Sequence, residues 1–126
     1  MTIYALSSGP GLSGLAVIRI SGDKCIEIVK KMTKGDLPTP RVATLRKIKK
    51  IKSEELIDEG IILWFPGPNS YTGEDLLELH VHGGRAVIDA ILKSISEISD
   101  CRIAEPGEFT KLAFLNGKIN LLQAES

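Results

Sequence analysis

The chain has 126 residues, and 16 Lys and Arg against 16 Asp and Glu leave a formal net charge of zero. With 43% apolar and 25% charged residues it has the composition of one compact soluble domain with a real core. The charge balance argues against a chain-wide nucleic-acid surface, because phosphate binding needs a positive excess or a basic face. A local patch stays open: Arg46, Lys47, Lys49, Lys50 and Lys52 cluster, and are read as the solvated edge of a strand and its turn. No apolar run approaches the length of a membrane span and no signal segment opens the chain, so a cytoplasmic location without a membrane partner is expected. Cys25 and Cys101 belong to no CxxC pair and read as free thiols in a reducing compartment.

In chain order, "TIYAL" at residues 2–6 is a short strand, followed by the Gly-rich loop "SSGPGLSG". "LAVIRIS" alternates, with Ala16, Ile18 and Ile20 on one face and Val17, Arg19 and Ser21 on the other. "DKCIEIVKKMT" reads as a helix with Asp23 at its N-cap and Ile26 and Val29 at helical spacing. "RVATLRKIK" and "ELIDEGIILWF" form two strands around a charged turn, a hairpin stopped by Pro66. "EDLLELHVH" is a further strand. "GGRAVIDAILKSISEI" is a helix burying Val87, Ile88, Ile91, Leu92 and Ile95. The strand "CRIAE" leads to a helix that opens near Pro106 and Glu108 and ends at Asn116-Gly117. "INLLQAES" begins another helix, left uncapped, as expected of a fragment of a longer protein. The irregular alternation and the hairpin give an α+β class: a mixed β-sheet with helices packed on it.

Glu78 is the sharpest candidate for chemistry. It stands mid-strand among Leu77, Leu79 and Val81, where a carboxylate is costly to desolvate unless something donates to it. Arg19, mid-strand between isoleucines, is the obvious partner in a structural ion pair. The functional reading is a carboxylate that accepts two parallel N–H groups from a pterin-like or purine-like ring. His80 and His82 share a face with Leu76 and Glu78, but one H-x-H with no third histidine in the chain favours backbone-bonded imidazoles over a metal site. The Gly-rich loop matches neither GxGxxG nor GxxxxGK[ST], so it is not read as a phosphate cradle. No Ser-His-Asp or Cys-His set can be argued from spacing. Trp64 is assigned to the core. Lys118, after Asn116-Gly117, is an exposed loop cation, solvated or paired with a ligand carboxylate.

Three blocks, "GLAVIRISG", "LWFPGPNSYTGEDLLELHVHGG" and "PGEFTKLAFLNGKINLLQAE", closely resemble the N-terminal domain of the MnmE (TrmE) family of tRNA-modification GTPases. The resemblance covers nearly the whole chain, least distinctively residues 33–58. It implies a fold like the folate-binding domain of glycine-cleavage T-protein, with a tetrahydrofolate-binding and dimerisation domain over residues 1–119. Residues 120–126 would then begin the following helical domain. It implies binding of 5-formyl- or 5,10-methylene-tetrahydrofolate at or near a homodimer interface, with Arg19, Glu78 and Lys118 as the folate-contacting residues and Glu78 at the pterin edge. It further implies that GTP, magnesium and potassium belong to a G domain outside this chain. An FAD-dependent partner subunit would share the modification of the tRNA wobble uridine, with tRNA engaged by the full complex. The chain alone would catalyse nothing. The competing reading is an assembly domain with a structural Arg19–Glu78 pair and no ligand.

Overall fold

The computed structural model describes residues 1–7 and 14–119. Most of the Gly-rich loop, and all but the first residue of the last expected helix, lie outside them. The elements in order are β1 (Thr2–Leu6), β2 (Leu15–Ser21), α1 (Cys25–Thr33), β3 (Thr44–Lys49), β4 (Leu56–Phe65), β5 (Leu76–His82), α2 (Arg85–Ser96), β6 (Cys101–Ile103) and α3 (Glu108–Leu115). The strands form one six-stranded sheet in the order β3-β4-β5-β2-β1-β6. β1 and β6 run parallel and every other pair antiparallel. The architecture is therefore the mixed-sheet α+β fold expected, including the β3–β4 hairpin.

Strand periodicity sorts the side chains between two faces. Ile18 and Ile20 of β2, Ile62 and Trp64 of β4, and Leu77, Leu79 and Val81 of β5 build one core with Ile28, Val29 and Met32 of α1 and Ile91 and Ile95 of α2. Burying each of the Ile, Leu, Val and Met side chains contributes about 1.5–3 kcal/mol. The alternate residues, Arg19, Ser21, Glu78 and His80, fall on the opposite face, away from α1 and α2. Register decides this arrangement: a one-residue slip would exchange the two faces of a strand. Seven paired positions between β2 and β5, from Leu15 opposite His82 to Ser21 opposite Leu76, hold it.

Several boundaries differ from the sequence reading for local reasons. The expected first strand of the hairpin begins only at Thr44, because Arg41 takes a left-handed φ of 63° that an extended strand does not use. β6 stops at Ile103, since only three of its residues pair with β1. Asp23 does not cap α1. The Thr2 hydroxyl, from the neighbouring strand, accepts the Lys24 N–H at 2.9 Å and donates to Asp23 Oδ1 at 3.0 Å. Ile26 is exposed, and α1 buries Cys25, Ile28, Val29 and Met32 instead. Both cysteines are free, and Trp64 is in the core as expected.

α3 lies on the second face, tied there by an ion pair. The Arg102 Nη1 donates to Glu108 Oε1 at 2.8 Å, its Nη2 donates to Oε2, and the Glu105 N–H adds a bond at 2.9 Å to Oε1. The Arg102 guanidinium and then the Glu105 N–H hold the Glu108 carboxyl below its usual value of 4.5. A depressed carboxyl stabilises fully above its unfolded pKa, and that contribution is lost as pH falls through the folded one. Amide protection in α3, measured by hydrogen exchange corrected for intrinsic rates, is thus expected to be constant near neutrality and to fall below pH ~4. Glu108→Gln should lower it at neutral pH and flatten the acid step. Protection unchanged by acid in the unsubstituted chain would remove this pair as the tether.

Candidate functional site

Glu78 and Arg19 are direct cross-strand partners in the β2–β5 ladder. Arg19 Nη2 and Nε donate to Glu78 Oε2 at 3.0 and 3.2 Å. The second oxygen, Oε1, lies 3.0 Å from His80 Nε2. A carboxylate only accepts, so His80 carries its proton on Nε2 in this contact. Side-chain exposure is 14% for Glu78 and 28% for Arg19, so the carboxylate is shielded but not sealed. It still has acceptor capacity, because a carboxylate offers about four lone-pair positions and three donors are present.

Two aromatic rings flank the pair. The guanidinium carbon of Arg19 lies 5.5 Å from the centroid of Tyr71 and 5.9 Å from that of Phe109, within cation–π range. Neither ring was singled out in the sequence, because each reaches the site through tertiary packing without strand or helix periodicity. Tyr71 comes from the loop at residues 66–75, which is fastened at several points. Gly67 N–H donates to Asp75 Oδ1 at 2.9 Å, Ser21 and Thr72 share a hydroxyl contact at 2.8 Å, and Ser21 donates to Glu74 Oε1 at 3.2 Å. Asn116 at the end of α3 donates to the Thr72 carbonyl at 2.7 Å. Gly73, at φ +84°, lets Asn116 approach, since a Cβ there would stand 2.8 Å from the Asn116 Cβ. Tyr71 Oη meets Thr110 Oγ1 at 3.3 Å, which joins loop and helix over the sheet. The blocks "FPGPNSYTGED" and "PGEFTKLAFLNGK" are thereby two halves of one lid over Arg19 and Glu78.

The structure brings together two of the three expected site residues. Lys118 follows the C-terminus of α3, where its backbone N–H donates to the Ala113 carbonyl at 2.8 Å. Its side chain is exposed and joins neither Arg19 nor Glu78. His82 belongs to a separate pair: its ring Nδ1 meets Asp58 at 2.9 Å and its backbone N–H donates to the same carboxylate at 2.9 Å. Burial pushes the Asp58 carboxyl up, but the His82 and Glu59 N–H groups outweigh it and hold the carboxyl below its usual value. Each histidine thus has its own carboxylate, and among the described residues no three metal-ligating side chains gather.

Chemically, the site offers a shielded acceptor pair, a guanidinium and two aromatic faces. That combination suits a flat heterocycle presenting adjacent N–H groups, with Glu78 fixing its orientation.

Comparison with known proteins shows the family of the chain. The family described as GTP-binding protein TrmE N-terminus matches residues 2–118. The chain is 68% identical over 126 residues to the tRNA modification GTPase MnmE of Pelagibacter ubique, covering 100% of this chain and 28% of that protein. It is 50% identical over 124 residues to the mitochondrial 5-taurinomethyluridine tRNA synthase subunit GTPB3 of Danio rerio, covering 98% of this chain and 25% of that protein. The human protein of the same name is 49% identical over 125 residues, with 98% and 25% covered. The chain spans about a quarter of the length of these curated relatives. With a family match running through both lid blocks and all three expected site residues, the chain belongs to the TrmE N-terminal family.

Proposed function

We propose that this chain is the tetrahydrofolate-binding and dimerisation module of a GTPase that modifies the wobble uridine of tRNA, providing the site for the one-carbon donor. The observation that carries the reading is Glu78: a mid-sheet carboxylate at 14% exposure, opposite Arg19 and beneath Tyr71 and Phe109. The residues fit a reduced folate. The carboxylate would take the ring N–H beside the exocyclic amine, and the rings would cover the heterocycle. Arg19 would turn toward a carbonyl, the formyl oxygen or the glutamate tail, with Lys118 reaching in from the end of α3. When bound, 5-formyl- or 5,10-methylene-tetrahydrofolate supplies the one-carbon unit, and these side chains bind and orient it.

Exposed apolar residues support the dimerisation part. Leu15 and Leu45 are each 60% exposed, and cross-strand pairing puts them on the face that α1 and α2 leave uncovered. The names of the relatives support the GTPase and tRNA assignments for the longer protein. GTP, magnesium and potassium would belong to its G domain, and an FAD-dependent subunit would be its partner.

A second reading rests on one specific observation: both Glu78 oxygens already have donors. On that reading the Arg19–Glu78–His80 set is structural and the chain is an assembly domain without a ligand. Calorimetric titration with 5-formyltetrahydrofolate decides between them. Saturable heat in the unsubstituted chain, lost in Arg19→Ala, supports folate binding. No heat from a chain that sediments as a folded dimer supports the second reading.

A further inference from the structure

The donors that reach Glu78 are shared unevenly between its two oxygens. Arg19 presents its Nε and Nη2, an edge of the guanidinium that can give a carboxylate one N–H for each oxygen. Yet both nitrogens fall on Oε2, at 3.2 and 3.0 Å. Oε1 instead lies 3.0 Å from His80 Nε2. Leu63 stands opposite Glu78 on β4, so that position offers the carboxylate no side-chain donor. Val17 and Ile61 stand opposite His80, and neither side chain carries an acceptor for the imidazole. The rotation of the carboxylate is therefore set by His80 on one oxygen and Arg19 on the other.

A guanidinium fork holds both oxygens with two parallel bonds and is the stronger arrangement for such a pair. Two donors on one oxygen compete for its lone pairs. At 3.0 and 3.2 Å both are longer than the usual ~2.7–2.9 Å of a charge-assisted bond. A ligand with a ring N–H beside an amine needs the same two oxygens that a fork would occupy. It must displace Arg19, and displacement from one oxygen costs less than displacement from a fork. The imidazole takes one lone pair of Oε1 and leaves the other, so it can stay in place while the ligand binds.

We propose that His80 is a positioning residue for ligand capture. By holding Oε1 it keeps Arg19 from closing a fork on Glu78, and it leaves the carboxylate ready to exchange Arg19 for the amino-pyrimidine edge of a reduced folate. It acts through Glu78 and does not touch the ligand. The capture role rests on the folate reading above; the restraint on Arg19 does not, because it is set within the free chain.

The test joins a crystal structure of the ligand-free His80→Ala chain to calorimetry with 5-formyltetrahydrofolate. In that structure Arg19 Nε and Nη2 are expected on separate oxygens of Glu78. His80→Ala should weaken folate binding roughly tenfold, as when one further hydrogen bond must be broken for the ligand to enter. His80→Gln, whose amide can donate to Oε1, should recover most of the loss. Arg19→Lys supplies the discriminating background, because a single ammonium cannot fork. There His80→Ala should change affinity by less than about twofold. An imidazole that merely supports the strand, or that touches the ligand, would cost the same in both backgrounds. The proposal is overturned by Arg19 still on Oε2 alone in the His80→Ala structure, by folate binding in that variant as tight as in the unsubstituted chain or tighter, or by equal losses in the Arg19 and Lys backgrounds. No heat from the unsubstituted chain overturns the folate reading and the capture role together. Full binding by the unsubstituted and His80→Ala chains alike overturns this proposal alone.

Discussion

Glu78→Ala is expected to lower affinity for 5-formyltetrahydrofolate by a factor of about 10² or more while leaving the chain folded. Two charge-assisted hydrogen bonds to the heterocycle disappear together, each worth about 1.5–3 kcal/mol. The stability cost is smaller. Arg19 and His80 lose their acceptor, but both are partly solvated, at 28% and 32% exposure. Water can replace much of what they lose, so about 1 kcal/mol is expected in a urea titration. Calorimetry and urea unfolding on the same variant therefore separate ligand contact from structural support. A variant that loses 3 kcal/mol or more of stability and changes affinity little would make Glu78 a structural residue.

The second large effect concerns the backbone beneath the site. Gly60 lies where β4 meets the end of β5, and a Cβ there would stand 2.4 Å from the His80 carbonyl oxygen and 3.1 Å from Val81 Cγ1. The first neighbour is main chain and cannot swing aside as a long side chain can. Gly60→Ala must therefore push β4 and β5 apart or tilt the end of β5, at a cost of about 2–3 kcal/mol. Because His80 anchors one oxygen of Glu78, the displacement should reach the site as well. A lowered thermal midpoint together with weakened folate binding is the expected pair of results. A midpoint within about a degree of the unsubstituted chain would show that the two strands have slack here.

The parts of the fold legible in the sequence were those written in periodicity. Alternation in "LAVIRIS" and "LLELHVH" put Arg19 and Glu78 on the face opposite the isoleucines and leucines, and antiparallel register then made them neighbours. Lys118 was legible as an exposed cation because Asn116-Gly117 ends a helix, and Gly117 takes a left-handed φ of 71°. The contacts that cross the chain were not legible. Nothing local connects Tyr71 to Phe109, or Thr2 to the start of α1, since each pairing depends on loops docking onto a finished sheet. The basic stretch at 46–52 shows the same limit. Its sequence says edge strand and turn; only the packing of α2 across it sets Lys50, Lys52 and Lys93 around one cavity.

Ser21, Thr72, Glu74 and Asn116 exchange hydrogen bonds that hold the 66–75 loop and α3 over one pair of charges. A lid of this kind lowers the local dielectric around Glu78 and strengthens any hydrogen bond it accepts.

The most direct measurement is a crystal structure of the chain grown with 5-formyltetrahydrofolate. The account predicts the amino-pyrimidine edge of the pterin within hydrogen-bond distance of the Glu78 carboxylate, with His80 or Arg19 shifted to make room. A folate bound elsewhere, with Arg19, Glu78 and His80 still joined as they are here, would contradict it.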